Sequence, residues 1–501
     1  MQITENSDNA YGPGIATYCL SGFRLFMEAG MVVWNRRSFL KAAASVPALA
    51  ALPRPLLAQQ RASPGFVDVS LEARQGWITV GGRSSYLYGF NGQVPGPVIE
   101  ARPGDYVRVR FRNSLPEATN LHYHGLHVSP AGNADNSFLE IPQGEDFTYE
   151  FDLPTSHLGG TFWYHPHMHG SVARQVARGL AGVFIVRGEL DQIPEIANAA
   201  ESVLVLQDFD LTDSGLPVEP GLMERMLGRE GGLVTANGQV NPQILIQRDG
   251  WIRLRILNAS SSRFYRLRLE EHPLYLIAVD SGALPGPEEH DEILITPGER
   301  IEVMVRGARP DGSYRLLSLP YNRGGMGMGM MGSMGGSSSQ TTVLATVVYE
   351  GQAARTWDLP QQLVRIDPLS SPTVRRSFQL GQGMGMGMGM MGGGGMNFSI
   401  NGRTFNPDRV DTRVRLGSVE EWEFINATMM DHPMHVHTNP FQVVGSDGLP
   451  VRAWKDVVLV RANSRIRVRT EFREFAGKAM YHCHILDHED LGMMGVLEIQ
   501  A

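Results

Sequence analysis

One pattern recurs three times along this chain and limits what it can fold into. The runs are Gly104-Asp105-Tyr106-Val107-Arg108-Val109-Arg110-Phe111-Arg112-Asn113, Gly250-Trp251-Ile252-Arg253-Leu254-Arg255-Ile256-Leu257-Asn258 and Gly417-Ser418-Val419-Glu420-Glu421-Trp422-Glu423-Phe424-Ile425-Asn426. Each is a Gly-led run that ends in Asn. In the first two, apolar and charged residues alternate, the period of a half-buried antiparallel strand. Long helical patterns are few, and short β-rich runs lie between Gly, Pro and Asn turns, so the chain reads as β-sandwiches. The spacing of the repeat is roughly one small-domain length, which predicts three similar sandwiches at about 62–190, 196–350 and 370–501.

Composition narrows the function classes. A net charge of −8 over 501 residues argues against a nucleic-acid binder, which would carry a basic patch. Cysteine occurs only at Cys19 and Cys483, too few for a disulfide framework. The segment Asn35-Arg36-Arg37-Ser38-Phe39-Leu40-Lys41, followed by the apolar run from Ala42 to Leu57 and a small-residue stop near Ala58, has the twin-arginine export pattern. Met31 gives the conventional start for such a signal. Cleavage near Ala58 would remove Cys19 and leave Cys483 as the mature chain's only thiol. Pro47, Pro53 and Pro55 break the apolar run, which is also short for a bilayer, and no other stretch reads as a transmembrane helix. The expected product is a soluble monomer in the periplasm or outside the cell.

Two low-complexity stretches interrupt the β pattern. Gly324 to Gly336 carries Met326, Met328, Met330, Met331 and Met334, and Gly381 to Met396 carries Met384, Met386, Met388, Met390, Met391 and Met396. Alternating Gly and Met cannot bury a core efficiently, so both are expected to be surface loops. Thioethers are soft and suit Cu(I), which makes the loops candidate sites for extra cuprous ions. The plain alternative is an insertion with no ligand role.

Ten of the fifteen histidines fall in four short segments: His122-Tyr123-His124, His165-Pro166-His167, His432-Pro433-Met434-His435-Val436-His437, and His482-Cys483-His484 with His488 and Met493 downstream. One His-x-His pair is weak evidence; four, one of them around a cysteine, are not a chance pattern. On a strand, residues i and i+2 share a face and i+1 takes the other. His482 and His484 therefore face one side and Cys483 the opposite side, so one strand can serve two metal sites. The four pairs supply eight imidazoles, too many for one metal and about right for three. Cys483, His432 and His488, with Met493 as a weak axial group, compose a blue-copper set. Zinc competes for such ligands, but the clustered histidines beside a Cys-Met site fit redox copper better.

These four segments resemble the copper-ligand motifs of the multicopper oxidases, the family of laccases, ascorbate oxidase and bacterial cuprous oxidases. The likeness spans the mature chain, including Asn91-Gly92-Gln93-Val94-Pro95-Gly96-Pro97 and Trp454-Lys455-Asp456, and is nearest to three-domain bacterial copper-efflux oxidases and thermophile laccases. It implies an all-β chain of three consecutive cupredoxin-like Greek-key β-sandwich domains and four copper ions. By the resemblance, His122 and His435 bind the type 2 copper. His124, His165 and His484 bind one type 3 copper, and His167, His437 and His482 the other. Cys483, His432 and His488 bind type 1 copper, with Met493 axial. Asp135 and Glu489 resemble the family's acidic proton relays. The reductant would be Cu(I) or a small aromatic such as a phenol or aromatic amine, and the acceptor O2.

Several residues have a plain reading beside the functional one. Asp135 and Glu489 could be solvated carboxylates or loop caps. Asp456 could brace a ligand histidine or cap a turn. Met430 could line a substrate-copper site or pack. His127 and His169 read as surface groups or as braces behind the ligands, and His157, His272 and His290 as structural. Two rival functions remain: a periplasmic copper-sequestering protein that uses the Met loops, and a non-catalytic relative such as the twin-arginine-exported cell-division proteins of this fold. The latter lack copper ligands, and this chain has the complete set.

Overall fold

The repeated runs are strands, and their sequence shows why. In Tyr106–Ser114, Val107, Val109 and Phe111 point inward and are buried. The intervening Arg108, Arg110 and Arg112 point outward and reach Glu150, Asp68 and Asp146 on the strands alongside. The computed structural model describes residues 65–324, 340–384 and 396–501. The twin-arginine segment, and the methionines Met326–Met334 and Met386–Met391 of the two Met-Gly stretches, lie outside the described residues.

The strands build six sheets, packed in consecutive pairs. The first pair uses strands from Phe66–Val80 to Gly182–Val186, in sheets of four and four. The second runs from Ala200–Phe209 to Thr342–Tyr349, in sheets of six and five. The third runs from Val374–Met384 to Met494–Gln500, in sheets of five and five. Each pair closes on its own apolar core, centred on residues such as Phe111, Tyr149 and Phe184; Leu254, Leu267 and Val303; and Phe378, Trp422 and Tyr481. The chain is thus three consecutive β-sandwiches of cupredoxin type, as the repeat predicts.

The repeat has the same topology each time. The Gly-led strand pairs parallel with the first strand of its sandwich: Tyr106–Ser114 with Phe66–Val80, Trp251–Asn258 with Ala200–Phe209, and Val419–Asn426 with Val374–Met384. On its other edge it pairs antiparallel with Asp146–Asp152, Arg300–Arg306 or Arg465–Glu471. The sequence pattern predicts purely antiparallel strands; period-two alternation reports faces, not the direction of a neighbour.

The terminal Asn of each run explains its recurrence. Asn113 Nδ2 donates to the carbonyls of Glu117 and Ile141 while its Oδ1 accepts from Leu115 N. Asn258 does the same with Arg263, Ile295 and Ser260. Asn426 does so with Met430, Val460, Arg461 and Thr428. An Asx-type turn held from both ends of one amide redirects the chain as it leaves the strand.

The second repeat departs from a half-buried strand. Every residue of Trp251–Asn258 is buried. Its charged face meets the first sandwich, where Arg253 and Arg255 are enclosed by Glu302, Asp191, Glu201 and the Thr161 hydroxyl. Buried charges persist only when paired and hydrogen-bonded, as these are.

A second seam joins the first and third sandwiches. His127, which the sequence reading leaves as a surface group or a brace, is buried, as is His157. His157 Nδ1 donates to Leu158 O, so its Nε2 accepts from His127 N at 3.0 Å. His127 Nδ1 donates to Thr438 O at 2.7 Å, directly after His437. Burial pushes the His157 imidazole down from 6.5 to about 3. A histidine depressed in the folded state resists protonation there, so its contribution to stability is present above pH 6.5 and is lost as pH falls from 6.5 towards about 3. Melting temperature followed against pH should therefore fall across that window. His157→Gln, whose amide oxygen can still accept from His127 N, should flatten the fall.

Candidate metal centre

Strand register assembles the histidines. His122 lies opposite His165, and His435 opposite His482, on paired strands. Met434 lies opposite Cys483. In His432–Val436, the step of three from His432 to His435 changes face, and the step of two to His437 keeps it. His432 therefore sides with Cys483, while His435 and His437 side with His482. The formal strand Gly477–Cys483 ends one residue before His484, yet the alternation holds: His482 and His484 join the other imidazoles, and Cys483 turns to His432 and His488.

Eight imidazoles, from His122, His124, His165, His167, His435, His437, His482 and His484, form one buried cluster at the contact of the first and third sandwiches. His122 stacks on His437 at 3.9 Å, and His124 on His435 at 3.8 Å, between ring centroids. Nε2 of His482 lies 3.3 Å from that of His167 and 3.1 Å from that of His437.

The hydrogen bonds show that the rings are prepared for metal. Nδ1 of His122 meets Asp135 at 2.9 Å, Nε2 of His124 meets Asp456 at 3.0 Å, and Nδ1 of His165 and of His435 donates to a backbone carbonyl. The opposite nitrogen of each of these four rings is buried and unpartnered. An unsatisfied buried nitrogen costs about 1–3 kcal/mol, and these rings fall in sets whose ligand atoms lie within 4.8 Å of one another, a spacing that suits a metal ion. Burial lowers the affinity of these imidazoles for protons well below the ordinary range. They are therefore neutral, the form that ligates metal.

Carboxylates back the cluster. Asp456 accepts from both Arg300 Nη atoms at 2.7 Å and from Ser281 Oγ, and so braces His124 rather than capping a turn. Gly125 has φ +85°, and a Cβ there would collide with Arg300 Nη2 and Asp456 Oδ2, so the residue after His124 must be glycine. Asp135 is buried against His122, and burial pushes its carboxyl up to about 8. Glu489 is also buried, 3.0 Å from His482 Nδ1 and 3.4 Å from His167 Nε2, so neither acid is a solvated surface group.

A second, separate set holds the cysteine. Cys483 Sγ lies 3.5 Å from His432 Nδ1 and 3.8 Å from His488 Nδ1, and the two nitrogens are 3.3 Å apart. All three residues are fully buried. Ile485 N donates to the sulfur. Burial raises the thiol's pKa, so a metal is what would hold it as thiolate. Met493 is buried in the same core, and its carbonyl accepts from Cys483 N. A thiol and two imidazoles at these spacings suit copper in a trigonal site. Phe398 stacks on the His488 ring at 3.9 Å.

Sequence reasoning missed the braces: Arg300, Ser281, Ser137 beside His437, Thr428 beside His432, and the Met226 carbonyl beside His488. Arg300 and Met226 come from the second sandwich, far from any ligand motif. Thr428 had a local signal, since it sits two residues past the terminal Asn of the third repeat.

Comparison with known proteins agrees with this geometry. Three family models, each described as multicopper oxidase, match residues 72–191, 214–352 and 372–501. The chain is similar to the multicopper oxidase mco of Staphylococcus haemolyticus, at 29% identity over 87% of this chain and 89% of that protein. It is also similar to the cell division protein FtsP of Edwardsiella tarda, at 29% identity over 96% and 99% of the two chains. Among solved structures, a multicopper oxidase from Campylobacter jejuni, titled a metallo-oxidase, is 33% identical, with a TM-score of 0.77 over 89% of this chain and 94% of that one. With a family match in each sandwich and two buried ligand sets of the chemistry that copper needs, the chain belongs to the multicopper oxidase family.

Proposed function

We propose that this protein couples oxidation of cuprous ion, and secondarily of phenols and aromatic amines, to the reduction of O2 to water. In this reading Cys483, His432 and His488, with Met493, would hold a type 1 copper. His122 and His435 hold type 2, and His124, His165 and His484 with His167, His437 and His482 hold the type 3 pair, four coppers in all. Copper bound there supplies one-electron oxidation of the reductant and four-electron reduction of O2. The chain's part is to keep the two ligand sets one residue apart along His482-Cys483-His484, a short covalent path for an electron, and to exclude water from both.

Reduction of O2 to water also consumes protons. Glu489 touches two imidazoles of the cluster and Asp135 a third, so both can hold a proton next to the reacting oxygen. Replacing Glu489 with Gln should lower kcat by about 10²–10⁴-fold while leaving the blue absorption of the Cys483 site unchanged. An unchanged kcat would remove Glu489 from the proton route.

The preference for cuprous ion rests on where the Met-Gly stretches are rooted. The first leaves the chain at Gly324, which bridges to Met430, two residues before His432. Asp431 N donates to Arg323 O beside it. The second interrupts a hairpin that closes at Met384 and Met396, and two residues on Phe398 lies on His488. The first stretch is thus rooted against Met430 and the second at Met396, each two residues along the chain from a residue that belongs to the cysteine set or stacks on it, and soft thioethers there could deliver Cu(I). The Campylobacter jejuni relative titled a metallo-oxidase supports the same reading. Replacing residues 385–395 with a short Gly-Ser turn should lower kcat/KM for Cu(I), read as O2 uptake, with little change for a phenol. Equal loss with both reductants would sink the Met-loop role.

The Arg36-Arg37 pattern supports export by the twin-arginine route, and among the described residues no helix is long and apolar enough to cross a membrane. Lysine at both arginines should leave the protein in the cytoplasm on fractionation. Export that persists would overturn the assignment.

A further inference from the structure

The terminal Asn turn of the third repeat does something that its two counterparts do not. Asn426 Nδ2 donates to three carbonyls, those of Met430, Val460 and Arg461, which fixes the amide so that Oδ1 faces Thr428. Thr428 N and Thr428 Oγ1 lie 2.9 and 2.8 Å from that oxygen. The other oxygen within reach of the hydroxyl proton, Met430 O at 3.2 Å, is also a pure acceptor. The 2.8 Å contact between Thr428 Oγ1 and Asn426 Oδ1 needs a proton between two oxygens, and only the hydroxyl can supply it, so the Thr428 oxygen accepts from Met430 N and from His432 Nε2, 2.8 Å away. His432 is thereby fixed with its proton on Nε2 and its lone pair on Nδ1, the nitrogen that faces Cys483. In His488 the Met226 carbonyl does the same, accepting from Nε2 at 3.0 Å.

From this we propose that Thr428 is a positioning residue. It locks the His432 tautomer and, together with the Met226 carbonyl, seals the outer edges of both imidazoles of the cysteine set against hydrogen bonding by a reductant. This deepens the proposed function and rests on its type 1 assignment. The consequence is a substrate class. A phenol gives up a proton with its electron and gains from an imidazole N–H that orients its oxygen and from a carboxylate that takes its proton. Here neither N–H is free. Of the carboxylates next to the two imidazoles in the chain, Asp431 accepts from Tyr321 Oη and Ala462 N, Asp487 from Arg229, and Glu489 faces His482 and His167 of the other cluster. A metal ion such as Cu(I) yields an electron and no proton, and needs neither group. The sealed edges thus favour metal-ion reductants over phenols at the same centre.

Two measurements test this. In copper-free protein labelled with ¹⁵N-histidine, the His432 Nε2–H should give an exchange-protected signal, identified by its loss in His432→Gln. It should survive Thr428→Ser and lose protection in the near-isosteric Thr428→Val. An unchanged signal in Thr428→Val would overturn the tautomer lock. In the copper-loaded enzyme, Thr428→Ala opens space beside the freed N–H and should raise kcat/KM for a phenol relative to Cu(I) by about fivefold, the scale of one neutral hydrogen bond. It should also shift the potential of the blue site. An unchanged ratio would overturn the substrate-class inference. If the wild-type enzyme oxidises no Cu(I), the proposed function fails on its own account, and the copper-free signal still decides the role of Thr428.

Discussion

Burying eight imidazoles side by side is possible only under a strict condition, and much of the molecule follows from it. Charge must be kept off the crowded rings, and burial holds His122, His124, His165 and His435 below the ordinary imidazole range for taking up a proton. Four of them, His122, His124, His165 and His435, have one nitrogen satisfied by the protein and leave the other with no partner. The protein thus tolerates a set of unmade hydrogen bonds that a metal completes. Asp135, Asp456 and the carbonyls of Pro166 and Asp456 select the tautomers, and Arg300 and Ser281 hold Asp456 in turn. The cost of that incompleteness is carried by packing around it. The cluster lies where two sandwiches meet, braced by a third.

The three-sandwich architecture is what makes this affordable in geometry. One sandwich could bring two His-x-His strands together, but the cluster needs ligands from the first and third. The second sandwich contributes no ligand. It supplies Arg300 behind His124 through Asp456, and the Met226 carbonyl behind His488. Its charged strand, Trp251–Asn258, is buried against the first sandwich through Arg253 and Arg255. The repeated Asn turn is a folding device in all three, and in the third it also reaches a ligand through Thr428. A structural motif has there acquired a second use.

Much of this was legible in the chain itself. The alternation in Tyr106–Ser114 gave strand and face correctly, because one face meets the core and the other meets cross-strand acids. It failed on strand direction, which lies in the neighbour, and on Trp251–Asn258, whose charged face is covered by another sandwich. His127 illustrates the same limit: the sequence leaves it as a surface group or a brace, and the contacts with Thr438 and His157 that bury it come from distant parts of the chain.

What the sequence determined by itself is the junction at Cys483. Three consecutive residues with side chains alternating across a strand must present the thiol to one side and two imidazoles to the other, and this is local backbone geometry. Tertiary structure alone decided which nitrogen of each ring is free, which carboxylate stands behind it, and how the outer edges of His432 and His488 are closed. Apart from Thr428, which is only four residues from His432, those properties depend on Asp456, Arg300 and Met226 arriving from other strands and another sandwich, and a hydrogen bond between residues distant in the chain leaves no periodic trace in it.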